Sequence, residues 1–535
     1  MRAAILLLVG AQSVFAGTSR GTWFWSNDGQ PYGSLIGMAN QVEAAHAADV
    51  ATDIQSFSQL AQAVRSRPDK VAAGEVFQAT GLKIGEVSPS TAIVWTRLTA
   101  RRARNPSSGP QVEIRYVNNQ QDKGRRRGDV EAVVYPAGVT AGDLREAVPG
   151  AAGQCRLRYR LAGRQEWLTT AWEAVDPDRD FTRQFHLNEL QPQSNYELNV
   201  QGRVNSHSNQ VSQLDGHFLT APLPDAPARV VFTVSTGQGN NDQDRADGFQ
   251  IYPSMLVLKP DFFVHTGDMV YYDRLAKTLP LARYHWQRTY SWPTNVEFHR
   301  QVASYFEKDD HDTWLNDCWP TMQTEYMHRF TFAEGQAVFL EQMPMGPKTY
   351  RTFRWGRDLQ IWLVEGRDFR SANNAPDGPE KTIWGAEQKE WFKRTVRESD
   401  ATFRVLISPT PLVGPDRSKK NDNHANDGFQ YEGRELRAFI AAQKNLVVFC
   451  GDRHWQYMSV DPLTGTREYS CGPASDKHAG GWSRNDYVEE YHRFLRVKGG
   501  FLSATVEREN STPTLSMRFH GVDGTVHHTD SLTVQ

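Results

Sequence analysis

The sequence has few cysteines, little net charge and no long apolar run, and each shortage excludes a class of protein. Four cysteines in 535 residues are too few for a disulfide-stabilised scaffold, and no Cys-x-x-Cys spacing supports a zinc knuckle. The 60 basic and 62 acidic side chains nearly cancel, so no basic excess indicates a nucleic-acid partner. No stretch has the roughly 20 apolar residues of a transmembrane helix.

The cysteines do not define a covalent framework. They are Cys155, Cys318, Cys450 and Cys471. Cys450 and Cys471 belong to the same strand-rich segment, so they either pair in an oxidising compartment or stay as free buried thiols.

The first 16 residues, MRAAILLLVGAQSVFA, combine one basic residue, a short apolar core and a small-residue ending. This pattern predicts a secretory signal peptide cut after Ala16, and therefore an exported protein, periplasmic or extracellular. A buried strand or a membrane anchor is the alternative. Residues 17–73 are predicted to form an N-terminal extension, with a helix over the alanine-rich segment Ala44–Val64.

Residues 74–221 change to the alternating pattern of β-strands, as in TAIVWTR, CRLRYRL and YELNVQG. The segment LQPQSNYELNV resembles the corner before a late strand of an immunoglobulin or fibronectin-III sandwich, where a tyrosine ties the corner. We therefore predict an all-β domain here. Within it, Arg101–Gly153 is polar and rich in Gly, Pro and Arg, and it is predicted to be an irregular insertion. The proline-rich segment Ala221–Ala228 is predicted to be a linker.

Residues 229–535 alternate strands and helices, which predicts an α/β (α+β) domain with two stacked β-sheets flanked by helices. Three predicted strands end in polar turns. Asp261–Thr266 leads into GDMVYYD, Gln301–Phe306 into EKDDHD, and Leu446–Cys450 into GDRHW. Strand ends of this kind form ligand sites in open α/β sheets.

The side chains of these turns are carboxylates, a phenol and imidazoles. Carboxylate and imidazole together suit Zn, Mn or Fe, a phenolate prefers a ferric ion, and carboxylates with amides suit Ca or Mg. Each motif alone is weak, because Gly-Asp pairs are common and DDHD can be an exposed acidic turn.

Taken in order, GDMVYYD, DDHD, EGRDFR, WGAEQKEW and GDRHW resemble the PhoD-type alkaline phosphatases and phosphodiesterases of the calcineurin-like metallophosphoesterase superfamily. The resemblance extends from about Val230 to the C-terminus, and more weakly over the domain before it. It implies a metallophosphoesterase four-layer sandwich, a phosphate mono- or diester as substrate (small molecule or polymer), and two or more metal ions.

The resemblance also implies the metal ligands. Asp268 is the predicted bridging carboxylate; a turn or helix-cap role is the alternative. Tyr271 is the predicted phenolate ligand, unless it only packs against the sheet. The further ligands it implies are Asp310, Asp452 and His454. Asp452 and His454 are two residues apart, and in an extended chain they would share a face.

Several residues carry weaker predictions. His311 is the predicted general acid, or else a surface histidine satisfied by Asp309 or Asp312. Asn316 is a possible oxygen ligand for a hard cation such as Ca²⁺, and His424 is a possible ligand by position only. Three arginines are predicted to contact phosphate or else to form internal ion pairs: Arg367 as a catalytic residue, and Arg370 and Arg453 as substrate-binding residues.

The first motif departs from the family. PhoD-like enzymes have a Cys after the first strand, whereas STGQGNNDQD follows Arg229–Val234 here. Gln238, Asn241 or Asp242 can substitute with an oxygen, which favours harder ions and leaves Ca, Fe, Zn and Mn open.

The main prediction is an exported metal-dependent phosphoric ester hydrolase. A metallophosphatase-fold binding protein with weak catalysis, or a hydrolase of another anionic ester such as a sulfate, is the alternative.

Overall fold

The computed structural model describes residues 23–25, 31–34, 74–116, 130–417, 420–483 and 486–534. The predicted signal peptide and the predicted helix Ala44–Val64 lie outside the described residues. In the N-terminal unit, Met1–Gln62, β1 (Trp23–Trp25) and β2 (Pro31–Ser34) pair antiparallel. None of the helices in the described ranges is long and apolar enough to cross a bilayer.

The region from residue 74 to residue 221 is built from strands, as predicted. They are β3 (Leu82–Gly85), β4 (Ala92–Arg97), β5 (Glu113–Tyr116), β6 (Val130–Val134), β7 (Gln154–Leu161), β8 (Leu168–Thr169), β9 (Glu173–Ala174), β10 (Thr182–Leu187), β11 (Asn195–Arg203) and β12 (Ser212–Leu219). One sheet has the order β12-β11-β7-β8, with β9 also on β7. The Tyr196 hydroxyl accepts a hydrogen bond from the Gln191 backbone N–H at 2.9 Å, as a tyrosine corner would. The immunoglobulin-like assignment itself stays a prediction.

The rest of the chain alternates strands and helices. In chain order these are β13 (Val230–Ser235), α1 (Ile251–Val257), β14 (Phe262–Thr266), α2 (Leu279–Tyr290), α3 (Pro293–His299), β15 (Ala303–Glu307), α4 (Phe332–Gln342), β16 (Arg351–Trp355), β17 (Leu359–Leu363), α5 (Gly385–Glu398), β18 (Phe403–Ser408), α6 (Gln430–Ala441), β19 (Leu446–Cys450), β20 (Gln456–Val460), β21 (Arg467–Cys471), β22 (His492–Arg496), β23 (Gly500–Glu509), β24 (Thr512–Gly521) and β25 (Val526–Thr533). Short 3-10 turns cover Ala141–Asp143, Pro177–Arg179, Asn240–Asp242, Tyr272–Arg274 and Asp427–Phe429.

Two large sheets organise these strands. A nine-stranded sheet has the order β10-β4-β3-β15-β14-β13-β23-β24-β25, and a seven-stranded sheet has the order β16-β17-β18-β19-β21-β20-β22. Strands β13, β14 and β15 are parallel, as are β17, β18, β19 and β21. Their carboxyl ends therefore gather the polar turns that carry the predicted site.

The two sheets stack face to face through aromatic side chains. Phe232 of β13 lies 5.9 Å from Phe449 of β19, and Phe262 of β14 lies 4.7 Å from Trp355 of β16, between ring centroids. On the outer faces, α1 and α3 pack against the nine-stranded sheet, and α5 and α6 pack against the seven-stranded sheet. The mixed α/β class is confirmed.

The strand-rich region before residue 221 also contributes to the nine-stranded sheet. β3 pairs parallel with β15 at Gly85 and Ser304, so β10, β4 and β3 extend that sheet. One apolar core includes Val94, Leu198 and Phe232. A closed sandwich separated by a linker would not share its core in this way.

The predicted irregular insertion Arg101–Gly153 needs correction. It contains the antiparallel pair β5 and β6. Leu144 and Ala147 of this insertion are buried against Leu281 and Tyr284 of α2. The polar composition concealed this packing because its few apolar residues are far apart in the chain.

All four cysteines are free and buried. The Cys471 thiol donates to the carbonyl of Cys450 at 3.4 Å, so the two are neighbours without forming a disulfide.

Candidate metal centre and active-site cleft

The turn after β14 positions Asp268. Gly267 has φ of 102° and Asp268 has φ of 59°, so two successive residues adopt the left-handed region. A Cβ at Gly267 would lie 2.6 Å from the Asp309 backbone nitrogen, and only glycine allows this close approach of the two turns. The strained conformation of Asp268 costs on the order of 1 kcal/mol, and such residues concentrate at functional sites.

Asp268, Asp310 and His311 form a buried group that suits a metal ion. Each offers a ligand atom, and these atoms lie within 4.8 Å of one another. Asp268 Oδ1 is buried and has no hydrogen-bond partner. Burial raises the pKa of Asp268 well above its usual range, and the charge of Asp310 adds to this although His311 opposes it. A bound cation would satisfy the free oxygen and relieve the repulsion.

The cations beside Asp310 favour its ionised form. Burial alone would raise its pKa, but Arg367 and His311 lower it below the ordinary value. The Asp317 N–H also donates to Asp310 Oδ2 at 2.5 Å. Both contacts favour a carboxylate at this position of the site.

His311 is held by Asp273, the last residue of GDMVYYD. Its Nδ1 contacts Asp273 Oδ2, and its ring packs against Tyr271 with centroids 4.4 Å apart. Burial alone would lower the pKa of His311, but the carboxylates of Asp273 and Asp310 raise it well above the usual value. These carboxylates therefore favour the protonated form of the His311 ring, which is the form that can donate a proton.

Tyr271 is surrounded by possible ligand atoms. Its hydroxyl lies 3.2 Å from Asp268 Oδ2, 3.4 Å from His454 Nε2 and 2.6 Å from His478 Nε2. His478 Nδ1 in turn lies 2.7 Å from Asp242 Oδ2. A carboxylate that orients a histidine in this way is typical of the surroundings of protein-bound metals.

His454 lies beside Tyr271 and Asp268, but the backbone that positions it is not the extended chain of the prediction. Asp452 has φ of 61°, so the chain is not extended between Asp452 and His454. The left-handed turn, rather than strand alternation, directs His454 Nε2 to 3.8 Å from Asp268 Oδ2. Desolvation and the neighbouring His478 lower the pKa of His454 well below its usual value, although the side chain is 30% exposed. The shift favours the neutral ring that a metal ligand requires.

Asp452 lies on the other side of the acidic group. Burial raises its pKa, and the charge of Asp422 adds to the effect. Burial also raises the pKa of Asp309, and the charge of Asp452 adds to the shift although Arg367 opposes it. The turns after β15 and β19 therefore interact electrostatically.

The three predicted arginines lie in internal contacts. Arg367 is completely buried, with its Nε at 2.6 Å from Asp309 Oδ1 and an Nη at 3.8 Å from Asp310 Oδ2. Arg453 pairs with Asp416. Arg370 donates to the Gly366 carbonyl at 2.9 Å and to Asn373 at 3.2 Å.

Glu365 and Asp368, the carboxylates nearest to Arg367 in the sequence, are paired with Lys308 rather than with the Arg367 guanidinium, although Glu365 also accepts from the Arg367 backbone N–H at 2.9 Å. Glu365 and Asp368 both accept from Lys308 Nζ, at 2.7 and 2.5 Å.

The weaker candidate ligands are placed as follows. Gln238 Oε1 accepts from the Tyr252 hydroxyl at 2.5 Å, and Asp242 orients His478. Asn316 lines the cleft described below, and its backbone N–H donates to Asp273 at 2.8 Å. His424 is buried with its Nε2 at 2.9 Å from Glu432, a contact with α6 rather than with the Asp268 group.

Sequence reasoning missed His478 and the role of Asp273. His478 lies in SDKH, seven residues after β21, and nothing in that short string distinguishes it from a surface loop. Asp273 does belong to the GDMVYYD motif, and its position two residues after Tyr271 was the available signal.

These residues open into a cleft of about 790 Å³. Its floor contains Tyr271, His311, His454 and His478. Its walls come from α2, from the insertion before β7 and from the loops after β13 and β15; the wall residues include Gln111, Val112, Ile114, Leu144, Arg145, Asn241, Asp242, Leu275, Tyr284, His285, Arg288, Leu315, Asn316 and Tyr326. The volume is within the usual range for small-molecule sites.

Comparisons with known proteins agree with this geometry. The family model described as PhoD-like phosphatase matches residues 232–490. No curated protein matches the sequence.

Two solved structures share the fold. The structure of PhoD superposes with a TM-score of 0.63 at 16% identity and covers 88% of this chain and 92% of that one. The purple acid phosphatase PPD1 from yellow lupin (Lupinus luteus) seeds gives a TM-score of 0.53 at 10% identity and covers 85% of this chain and 96% of that one. The resemblance read from the strand-end motifs is confirmed.

Proposed function

Because residues 232–490 match the PhoD-like phosphatase model, we propose that the protein is a metal-dependent phosphoric ester hydrolase that acts on phosphate mono- or diesters. The observation that carries the proposal is the buried, partnerless oxygen of Asp268 among Asp310, Tyr271 and His454. These groups follow the carboxyl ends of parallel strands, and Tyr271 and His454 line the open cleft.

We propose that this donor set would hold two metal ions. Tyr271 and His454 would serve one, Asp310 and Asp452 would serve the other, and Asp268 would serve both. Asp242 and His478 support the first site because His478 contacts the Tyr271 hydroxyl. Bound ions would supply an acidified water and charge neutralisation for the phosphoryl group. Gln238, Asn316 and His424 are not needed in this assignment, because their polar groups contact other residues or line the cleft.

His311 is proposed as the general acid. Asp273 holds its Nδ1, and the ring lines the cleft. Its other ring nitrogen, Nε2, can therefore donate to the leaving alkoxide oxygen. Asp273 fixes the ring and favours its protonated form.

Arg367 is proposed to act on the acidic group rather than on phosphate. Its guanidinium is completely buried, and it contacts Asp309 and Asp310. It therefore reduces repulsion among carboxylates that must approach one another. Arg453 forms an ion pair with Asp416, and Arg370 contacts neutral oxygens in the loop after β17.

Metal content and hydrolysis of the purified full chain test the proposal. We expect two ions per chain by mass spectrometry of metals, hydrolysis of 4-nitrophenyl phosphate, and loss of activity on chelation. Bound metal without hydrolysis of monoesters or diesters would favour a binding protein of this fold. Preferential hydrolysis of 4-nitrophenyl sulfate would favour a different anionic ester.

Export to the periplasm or the extracellular space is the remaining part of the proposal, and it rests on the sequence alone. The N-terminus of the mature protein, isolated from its native host, would begin after Ala16 if the signal peptide is cut there.

A further inference from the structure

One wall of the cleft contains an arginine whose charge is not compensated by the fold. Arg288 lies in the last turn of α2, is only 7% exposed and lines the cleft. Its Nη2 lies 3.2 Å from His285 Nδ1, and its guanidinium carbon lies 5.1 Å from the Tyr284 ring centroid. Its Nε has no hydrogen-bond partner. Within the described part of the chain, Arg288 makes no ion pair with a carboxylate.

Three other deeply buried arginines pair with carboxylates. Arg97 contacts Asp180 at 2.7 Å, Arg367 contacts Asp309 at 2.6 Å, and Arg453 contacts Asp416. Arg370 has no carboxylate partner among the described residues either, but it donates to two neutral oxygens of its own loop and does not line the cleft. A buried charge without a partner is costly, so Arg288, which does line the cleft, is the arginine placed to bind an anion from outside the chain.

A second arginine approaches the same place. The backbone carbonyl of Arg145 accepts from the Tyr284 hydroxyl at 2.8 Å, one helical turn before Arg288, and Arg145 lines the cleft as well. The nearest acidic neighbour in the chain, Glu146, is already engaged by Arg104 at 3.1 Å and by Asn240 at 3.1 Å. Two cations thus share a wall with no carboxylate pairing either one among the described residues.

We propose that Arg288 and Arg145 form a subsite for a second anionic group, carried on the leaving-group side of the substrate. The proposal rests on the proposed function, because the metal floor of the same cleft would hold the scissile phosphate. The substrate class is then a small phosphate ester whose alcohol bears a carboxylate or a second phosphate. The cleft also presents Val112, Leu144 and Leu275, so the segment that joins the two anionic groups can be apolar.

Equilibrium binding of non-hydrolysable phosphonates to the metal-loaded full chain tests this. One series is n-alkylphosphonates of increasing length, and the matched series carry a terminal carboxylate or a second phosphonate. We expect at least about tenfold tighter binding of one doubly anionic series at its best length, which is the scale of a charge-assisted hydrogen bond. The length at the optimum measures the separation of the two sites, and the two series distinguish carboxylate from phosphate.

Arg288→Gln should abolish this advantage and leave the binding of n-alkylphosphonates within about twofold. Arg288→Lys should retain part of it, because the charge remains without the guanidinium geometry. Arg283→Gln is the matched control: it removes the same charge from the same helix, but Arg283 pairs with Glu341 at 2.6 Å and does not line the cleft. If Arg288→Gln does not fold, the half-exposed Arg145→Gln replaces it.

Equal binding of the singly and doubly anionic series at every length would overturn the proposal, as would an equal loss for both series in Arg288→Gln. Because the readout is binding, it does not depend on turnover. A protein that binds the doubly anionic series selectively but hydrolyses no phosphate ester would refute the proposed function and support the subsite.

Discussion

The buried acidic group next to the floor of the cleft, Asp268, Asp309, Asp310 and Asp452, has more carboxylates than cations beside it, whereas the α2 wall carries cations that no carboxylate of the described residues pairs with directly. In the acidic group, burial raises the pKa of Asp268 and of Asp309. On the wall, burial lowers the pKa of Arg288, and Tyr284 and Glu146 only partly oppose it. In both regions the fold leaves charge of one sign uncompensated. Such places are where a ligand of the opposite sign gains most, a metal ion at the floor and an anionic group at the wall.

The comparison also separates charged residues that stabilise the fold from charged residues that can bind a ligand. In the loops of the seven-stranded sheet, Arg453 pairs with Asp416 and His424 with Glu432. These buried pairs satisfy each other and need no ligand. Buried charged residues of the same type therefore have different roles. Those with an internal partner stabilise the fold, and those without one are candidates for ligand binding.

The largest effect is expected at the floor. Asp268→Asn should lower kcat by at least about 10³-fold, because the charge stabilisation supplied by bound metal is worth several kcal/mol. Asparagine tolerates the left-handed conformation of this position. The metal-free variant should be at least as stable as the parent, since it no longer buries a carboxyl group whose pKa is raised.

Activity, metal content and thermal unfolding of Asp268→Asn are measured together. Asp225→Asn, at an exposed position between β12 and β13, should alter none of them. Parent-like turnover with full metal content in Asp268→Asn would show that the bridging assignment is wrong.

The next effect concerns His311. Its substitution by alanine should slow an alkyl phosphate by about 10²–10⁴-fold and a nitrophenyl phosphate far less, because a general acid matters most for a basic leaving group. Metal content should stay the same. His207→Ala, at an exposed histidine in a β-turn, is the matched control.

A uniform loss across both esters, accompanied by loss of metal, would instead identify His311 as a ligand. That result would fit the distance of its ring from Asp268 and Asp310 equally well, so leaving-group dependence and metal content must be read in the same preparation.

Much of the floor was predictable because its information is local. A strand, a glycine and an aspartate lie consecutively in sequence, and Phe262–Thr266 falls within the predicted strand Asp261–Thr266. The order of the motifs then added the neighbouring strand ends. The motifs did not predict the contact between His478 and Asp242, because these two residues are 236 positions apart in the sequence.

Other misses have the same origin. The sequence between β13 and β14 predicts a helix over Asp247–Lys259, whereas α1 covers only Ile251–Val257. Asp244 accepts from the Gln250 N–H at 2.8 Å, and Asp247 contacts Arg245 at 2.8 Å. These local bonds compete with the helix and delay its start. The cleft wall was invisible in the sequence because it forms only when the insertion packs on α2.

The smallest effect is expected beside the wall, at Lys277. This lysine is 3% exposed, donates to the Asp273 carbonyl at 2.7 Å and lies 3.4 Å from the Tyr326 ring centroid. Burial lowers its pKa to about 7 although Asp273 opposes the shift. Between about pH 7 and 10.5 the folded state therefore binds fewer protons than the unfolded chain, so stability from this group rises with pH across that window and its cost is full below it.

Lys277→Met should consequently stabilise the protein by an amount on the order of 1–3 kcal/mol near pH 6, and the gain should shrink as the pH is raised toward about 10. Thermal and denaturant unfolding of parent and variant at the two pH values measure this difference, with Lys444→Met in the exposed turn between α6 and β19 as the control that should show neither the gain nor its pH dependence. A gain that is equal at both pH values would mean that Lys277 is neutral throughout and that methionine merely packs better. A loss of stability in Lys277→Met at low pH would mean that the Asp273 carbonyl and the Tyr326 ring fully compensate the charge of the Lys277 ammonium. The missing compensation would then be confined to the wall residues around Arg288.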